Sequence, residues 1–406
     1  MLELADTPYA FFPPKPNRFV MWLLGHFNRF VRLPGRGHRI TGVTVANPEA
    51  LPAGGRILFL PNHSTHSDGE IMSEVQGQVG VRSCYMAAYD GFHRSRFNAW
   101  VMQRLGAFSV DREGSDSRAL ATGVQVLVGG RYALTIFPEG NVYLMNDRVT
   151  PFLEGAAYIG IKAQGEIPDA PIHALPVAIK ATHVSDAREA VRARLGDVAT
   201  RVGATVDPAA DFHEEVKRIG VRALEQKLLE MHVPVPEPGD LPSLLKKSAE
   251  PIIARLEQTM KLRVQPNAEL IDRIRKIRQS IHRMRTDADR KPEHAAGARW
   301  ADEAILALRI LSYAGNYLDE RPTLDRTGET VEKLLEDLTS RLLPRYGARH
   351  AFVRFGDPID LRPYASAKGR RVRKAVHEVT QAVQRGVQEG LDAINAANPH
   401  PGGEPF

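Results

Sequence analysis

One cysteine, Cys84, is all the thiol chemistry that the 406-residue sequence contains. A single thiol excludes an internal disulfide and any four-cysteine zinc site, and it suits a reducing compartment. Cys84 lies within the apolar stretch SCYMAA, which marks it as core packing rather than a nucleophile. A run of about 18 apolar residues is also missing, so no transmembrane helix is expected. The N-terminus lacks a signal-peptide pattern, because its longest apolar stretch, Phe19 to Leu24, is short and flanked by basic residues. No internal repeat, HExxH motif or cysteine cluster appears, which leaves no recognisable catalytic zinc pattern.

What is present is the balance of an ordinary folded protein, 43% hydrophobic and 25% charged. The length exceeds what one core usually organises, so a main domain with an insertion or appendage is expected. A net charge of +6 favours an anionic partner, among them lipid headgroups, a phosphorylated substrate, coenzyme A and nucleic acid.

The segment RFVMWLLGHFNRFVRL, residues 18 to 33, places apolar side chains at helical spacing with Arg18, Arg29 and Arg32 beside them. This predicts an amphipathic helix. Together with Lys15, Arg36 and Arg39, it fits an interfacial helix on anionic lipid, and equally a helix packed on its own domain. From residue 39 onward short apolar runs alternate with helical patterns: ILFL at 57–60, CYMAA at 84–88, AFSV at 107–110, ALTIF at 133–137 and ALPVAI at 174–179. Helices are expected over 70–75, 94–105, 117–128 and 151–163, the last opening on a first-turn proline. The alternation predicts an α/β fold.

Between about 185 and 349 the texture turns to long helical patterns, broken by VPVPEPGDLP at 233–242. Here Leu270, Ile271, Ile274, Ile277, Ile281 and Met284 form a stripe ringed by arginines, read as a solvated basic face or as a dock for membrane or acyl carrier protein. Nucleic acid is disfavoured, since no binding motif or interleaved aromatics accompany the charge. HAFVRFGDPIDL at 350–361 returns to strand character, a last helical pattern spans 371–391, and the final residues read as an unstructured tail. The expected organisation is therefore 1–38 membrane-interface helix, 39–184 core, 185–349 helical insertion, 350–395 return strand and helix, and 396–406 tail.

The chemistry concentrates in LPNHSTHSDGE at 60–70. Ser67 and Glu70 have capping-box spacing, which would set Asp68 in a first helical turn whose positive end keeps its carboxylate ionised. His63 lies five residues earlier, where the loop can fold its imidazole back to Asp68. A carboxylate accepting one imidazole N–H fixes the tautomer and leaves the other nitrogen free to take an alcohol proton. His66 invites a three-ligand metal site with His63 and Asp68, but no further ligands stand at metal spacing, so His66 is read as pocket wall or surface and no metal is expected.

NHSTHSD resembles the N-H-x-x-x-x-D block of the phospholipid and glycerol acyltransferases, the family that includes lysophosphatidic acid acyltransferases. Three further segments resemble that family's blocks in order. GAFSVDR at 106–112 ends in Arg112, to which the resemblance gives the acceptor's phosphate; FPEG at 137–140 supplies Glu139 and Gly140 to the acceptor site; ALPVAI places Pro176 on the acyl side. Asn62 opens the first block and is assigned to substrate binding with them. PFLEGAA at 151–157 and VRFGDPIDL at 353–361 are fainter echoes, and the stretch 185–349 lies outside the resemblance.

The resemblance implies a mixed sheet flanked by helices with a large helical insertion, and a His63–Asp68 general base moving a fatty acyl group from acyl-coenzyme A or acyl carrier protein to a glycerolipid-like hydroxyl. No cofactor is implied beyond the donor, and the expected place is peripheral, on the cytoplasmic membrane face. Members acting on lysophosphatidic acid continue FPEG with threonine, arginine and serine, whereas this chain reads FPEGNVYLMNDR. Arg148, or Arg112 alone, then supplies the charge for a phosphorylated acceptor, and a phosphate-free acceptor fits equally. A lipid-binding or scaffolding protein that keeps this fold without catalysis is the alternative, and a metal-dependent hydrolase is third. Oligomeric state is not legible.

Overall fold

Alternate residues of the apolar strands face opposite sides of one sheet, and both sides are packed. A computed structural model of the chain describes residues 9–114, 116–263, 268–286, 294–366 and 369–406. It divides into two compact units, one of Ala10–Ala187 with Leu343–Glu404 and one dominated by Arg188–Leu342.

In the first unit the chain order is α1 (Arg18–Phe27), β1 (Ile40–Val45), β2 (Arg56–Pro61), α2 (Asp68–Gln78), β3 (Ser83–Ala88), α3 (Asp90–His93), α4 (Arg96–Arg104), β4 (Ala107–Val110), α5 (Ser117–Gly129), β5 (Ala133–Thr135), α6 (Gly155–Glu166) and β6 (Ile172–His183). The second unit is helical: α7 (Arg188–Arg201), α8 (Phe212–Glu230), α9 (Leu241–Thr259), α10 (Leu270–Thr286), α11 (His294–Leu311), α12 (Tyr317–Glu320) and α13 (Leu324–Thr339). The first unit then resumes with β7 (Arg349–Phe355), β8 (Ile359–Asp360), α14 (Arg362–Ala365) and α15 (Arg370–Ala397).

The sheet runs β1-β7-β6-β2-β5-β3-β4, with β8 on β6. Strands β6, β2, β5, β3 and β4 are parallel, β7 is antiparallel to β6, and β1 is parallel to β7. The fold is therefore mixed α/β with a large helical insertion. Leu58, Leu60, Ala174 and Ala178 point to one face, under α5, α6 and α15, while Phe59, Leu175, Val177 and Ile179 point to the other, against α2. Burial on both faces explains why β2 and β6 read as unbroken apolar runs.

β1, ITGVTV, lies outside the expected strands, because only Ile40 of it is fully buried and it shows no apolar run. Three expectations are corrected. α6 begins at Gly155 rather than at Pro151, since Phe152 N–H donates to Gln384 Oε1 and Leu153 N–H to Pro138 O, which holds that stretch extended. The units meet at 187/188 and 342/343 rather than at 184/185 and 349/350, because Val184 N–H donates to Ala348 O and His183 stacks on Tyr346, 5.4 Å between ring centroids. The tail is structured: α15 runs to Ala397, Asn398 Nδ2 donates to Thr182 Oγ1, and Phe406 stacks on Phe212 at 4.4 Å.

α1 is followed by a π-helical turn, Asn28–Arg32, so helix spans the expected segment with one change of winding. It is fastened to α2 by Asn28 Nδ2 to Glu70 O, Arg29 to Glu74 at 2.6 Å and Arg32 to Glu70 at 2.5 Å. Its other side carries Phe19, Trp22, Leu23, Phe27, Phe30 and Val31, each about half exposed or more. In the helical unit Ile274, Ile277 and Ile281 are wholly buried against α9 and α11, so the α10 stripe is core. Arg273 pairs with Glu257 at 2.6 Å and Arg275 with Asp272 at 2.9 Å, leaving the basic ring partly neutralised.

Candidate active site

β2 delivers the block at 62–68 to the C-terminal end of the parallel strands, the edge where open α/β sheets hold their ligands. The strand stops at Pro61, and Asn62 locks its end to β6: Nδ2 donates to Ile179 O at 3.0 Å and Oδ1 accepts Ile179 N–H at 2.7 Å. Both ends of the Asn62 amide are thus committed, and the residue is 1% exposed. Its expected place among substrate contacts is corrected to that of a strand clamp.

His63 Nδ1 lies 3.0 Å from Asp68 Oδ2. Asp68 is completely buried, and Thr65 holds it from the other side, its N–H donating to Oδ2 at 2.8 Å and its Oγ1 to Oδ1 at 2.7 Å. Thr65 Oγ1 also accepts Ser67 N–H, and Asp68 N–H donates to Thr65 O. One half of a capping box therefore forms two residues upstream of the expected one, with Asp68 accepting Thr65 N–H, while Thr65 Oγ1 donates to Asp68 instead of accepting from its N–H. Ser67 makes no cap and instead meets His38 Nδ1 at 2.8 Å. The earlier register wins because one carboxylate then serves both the helix start and the imidazole.

An acceptor-only carboxylate requires Nδ1 to carry the proton, which leaves Nε2 with its lone pair. No group among the described residues bonds Nε2, and the imidazole is 23% exposed, tilted against Phe137 with centroids 4.3 Å apart. The ring is reachable from solvent while its orienting partner is not.

Glu139 fixes the backbone at this point. Its Oε1 accepts His63 N–H at 2.7 Å, and its Oε2 accepts from both N–H and Oγ1 of Thr150. Burial pushes its carboxyl above the usual range, and the Thr150 and His63 donors oppose that. Gly140 follows at φ +74°, where a Cβ would also come within 2.8 Å of Leu153, so both the turn and its packing require glycine. Next, Asn141 Oδ1 accepts from Arg112 Nη1 at 2.9 Å. Arg112, at the end of β4 and 27% exposed, also reaches Asp90 at 3.4 Å. The cation thus stands one residue beyond the Glu139–Gly140 turn.

From Asn141 to Glu154 the chain straps across this edge. Asn146 accepts from Ser64 Oγ at 3.2 Å and pairs with the Ala181 backbone; Asp147 forms a buried ion pair with Lys180; Val149 N–H donates to Gln388 of α15. Arg148 sits half-buried on the strap, between Asp147 and Val149. Pro176 is buried mid-strand, opposite Leu60 and beneath Gly386 of α15, and is not brought to the strand end where His63 lies.

His63, Asp68, Glu139, Gly140 and Arg112 do come together. The sequence reading missed Thr65, Asn141, Asn146, Thr150, Lys180, Gln384 and Gln388. Only Thr65 carried a local signal, its three-residue spacing from Asp68. His66 is half-buried beside His38, whose imidazole burial pushes below its usual value, with Arg32, Arg345 and His66 acting the same way and Glu70 against them. One group of potential metal ligands meets among the described residues, His213, Glu214 and Asp319 in the helical unit, and Lys217 Nζ already lies 2.8 Å from both carboxylates.

Comparison with known proteins gives a match between residues 42–180 and the family model described as Acyltransferase. Among solved structures, the 1-acyl-sn-glycerophosphate (LPA) acyltransferase PlsC from Thermotoga maritima is similar over 40% of this chain, at 21% identity and a TM-score of 0.30. The similar region spans 58% of that chain's length. No curated protein matches.

Proposed function

We propose, from the match of residues 42–180 to the acyltransferase family model, that this chain transfers a fatty acyl group from a thioester donor to a hydroxyl of a glycerolipid-like acceptor. The observation that carries this is the His63 imidazole, partly exposed, held at Nδ1 by a buried carboxylate and with no partner at Nε2 among the described residues.

In the proposed reaction Nε2 takes the acceptor's hydroxyl proton as the oxygen attacks the thioester carbonyl. The tetrahedral intermediate collapses, the C–S bond breaks, and the imidazolium returns its proton to the leaving thiolate, so no enzyme nucleophile is needed. Positioned general-base help of this kind contributes about 10²–10⁴-fold. Asp68 stabilises the imidazolium formed on the way, and its burial strengthens that interaction. Glu139 keeps His63 in place through its backbone N–H. Arg112, with Asn141 beside it, is the cation for a phosphorylated acceptor such as 1-acylglycerol-3-phosphate, and Arg148 on the strap is a second candidate. A phosphate-free acceptor would not use them. The donor is acyl-coenzyme A or an acyl carrier protein.

The exposed face of α1 supports work at a membrane surface, on the cytoplasmic side. A ring that moves roughly 100 Å² from water into hydrocarbon contributes about 2.5 kcal/mol, and Phe19, Trp22, Phe27 and Phe30 are all more than half exposed. Basic neighbours such as Lys15 and Arg18 add attraction to anionic lipid.

The test is acyl transfer to a panel of lysolipids by wild type, His63→Ala and Asp68→Asn, each shown to fold equally well. Loss of about 10²-fold or more is expected in both variants. Undiminished turnover in both would refute the assignment and leave a lipid-binding scaffold as the better description.

A further inference from the structure

At the opposite edge of the sheet from His63, four arginines surround a cavity of about 380 Å³. They come from separate elements: Arg18 begins α1, Arg56 begins β2, Arg82 precedes β3 and Arg131 precedes β5. β2 is six residues long, so about 20 Å of strand separates this edge from the catalytic loop. No acidic side chain lines the cavity among the described residues.

The guanidinium groups have little to bond. Arg56 Nη2 donates to Val128 O at 3.1 Å, while its buried Nε has no hydrogen-bond partner among the described residues. Arg131 lies over the ring of Tyr132, 5.5 Å from its centroid. Neither Arg18 nor Arg82 has a side-chain hydrogen bond or ion pair among the described residues.

A plainer account is that cations gather here because α2 and α5 end at this edge, at Gly80 and Gly130. Arg56 does serve one such helix end through Val128 O. The magnitudes do not balance, however, because each helix terminus offers only about half a negative charge. Four full positive charges against two such ends leave an excess of roughly +3.

We propose that this cavity binds a phosphate-bearing ligand, with Arg56, Arg82 and Arg131 as its ligating groups and Arg18 at its rim. Planar guanidinium forks match phosphate oxygens two at a time. The volume falls in the range of small-molecule sites, larger than a single phosphate requires. Backbone conformation keeps the cavity open: Gly54, Gly55, Gly80 and Gly130 all have positive φ, and a Cβ on Gly130 would come within 2.8 Å of Arg56 Nε. The phosphate has two possible sources, a soluble phosphorylated molecule or a lipid headgroup, since Arg18 leads directly into the exposed Phe19 and Trp22 of α1.

The experiment uses the full chain, wild type and Arg82→Gln/Arg131→Gln, whose exposed side chains allow folding to be preserved. Pyrophosphate is titrated by calorimetry, and flotation compares phosphatidic acid vesicles with phosphatidylcholine vesicles. Both are run at about 0.15 M salt, which screens exposed charges beyond roughly 8 Å. Saturable pyrophosphate binding, weakened at least tenfold in the variant, supports the site with a soluble ligand. Flotation on phosphatidic acid that the variant loses, without pyrophosphate binding, supports it with a headgroup. If neither probe distinguishes the variant from wild type, the proposal is overturned. These readouts are independent of acyl transfer, so the site stands or falls apart from the catalytic assignment.

Discussion

Replacing Asp68 by asparagine keeps the shape of the side chain but offers an amide N–H to neighbours that are themselves donors, His63 Nδ1–H and the two donors of Thr65. The imidazole then settles in the wrong tautomer or orientation. The loss should fall on kcat with KM little changed, which steady-state kinetics at saturating acceptor will read. Glu139 makes a prediction of opposite electrostatic sense. Its carboxyl titrates above the usual 4.5 in the folded state because it is buried. Such a group holds its proton longer folded than unfolded, so its contribution to stability is greatest at low pH and declines as pH rises above about 4.5. Urea unfolding of wild type and Glu139→Gln should show a stability difference that drifts against the wild type over that range, and a pH-independent difference contradicts it. Cys84 is 1% exposed, and burial pushes its thiol up to about 12. Iodoacetamide at pH 8 should leave it unmodified until the chain is denatured, as mass measurement will show. At this scale the sequence was readable wherever chemistry lies in contiguous blocks, as at His63, Asp68 and Glu139. It misled at Asn62, where a polar residue beside the histidine serves a strand 117 positions away. Asn146 and Thr150 carried no local mark of their roles, since their partners, Ala181 and Glu139, lie 35 and 11 residues off.

Among the elements, the strap from 141 to 154 and helix α1 make separable predictions. The strap is pinned by the buried Asp147–Lys180 pair, each side chain 1% exposed. Removing one partner of a buried pair costs about 3–5 kcal/mol, whereas replacing both with apolar residues is often close to neutral. Lys180→Met alone should therefore destabilise far more than Lys180→Met combined with Asp147→Leu, a comparison that denaturant midpoints will decide. For α1, Phe19→Ser/Trp22→Ser should reduce liposome flotation without lowering the melting temperature, because both rings are more than half exposed. Equal flotation would place the membrane contact elsewhere. Most strands were legible because burial on two faces leaves an apolar run. β1 was not, because an edge strand with one buried residue shows no such run. The start of α6 was misplaced for a related reason: Pro151 satisfies the local rule for a first helical turn, but Gln384, more than 200 residues later, claims the backbone that would have formed it.

For the whole molecule, the change of texture near residue 185 was enough to separate a helical insertion from an α/β core, and the order of strands was not. That order depends on β7 returning after the insertion to lie between β1 and β6, a pairing over some 300 residues of separation for β1 that no local pattern records. The same antiparallel pairing brings the end of β6 beside the start of β7, with His183 opposite Arg349 and Val184 N–H bonded to Ala348 O at 3.0 Å. Deleting Arg188–Leu342 and closing the gap with a short glycine-serine linker should therefore leave a unit that unfolds in one cooperative transition. A broad, non-cooperative melt by circular dichroism would show that the core needs its insertion.

The late arrival of β7 also bears on how the protein is made. A ribosome that adds about 5–20 residues per second needs roughly 10 to 30 s after finishing β6 to deliver the strand that covers it. During that interval the nascent chain presents an open, apolar sheet edge around Ile179 and Ala181, the kind of surface that recruits chaperones or seeds aggregation.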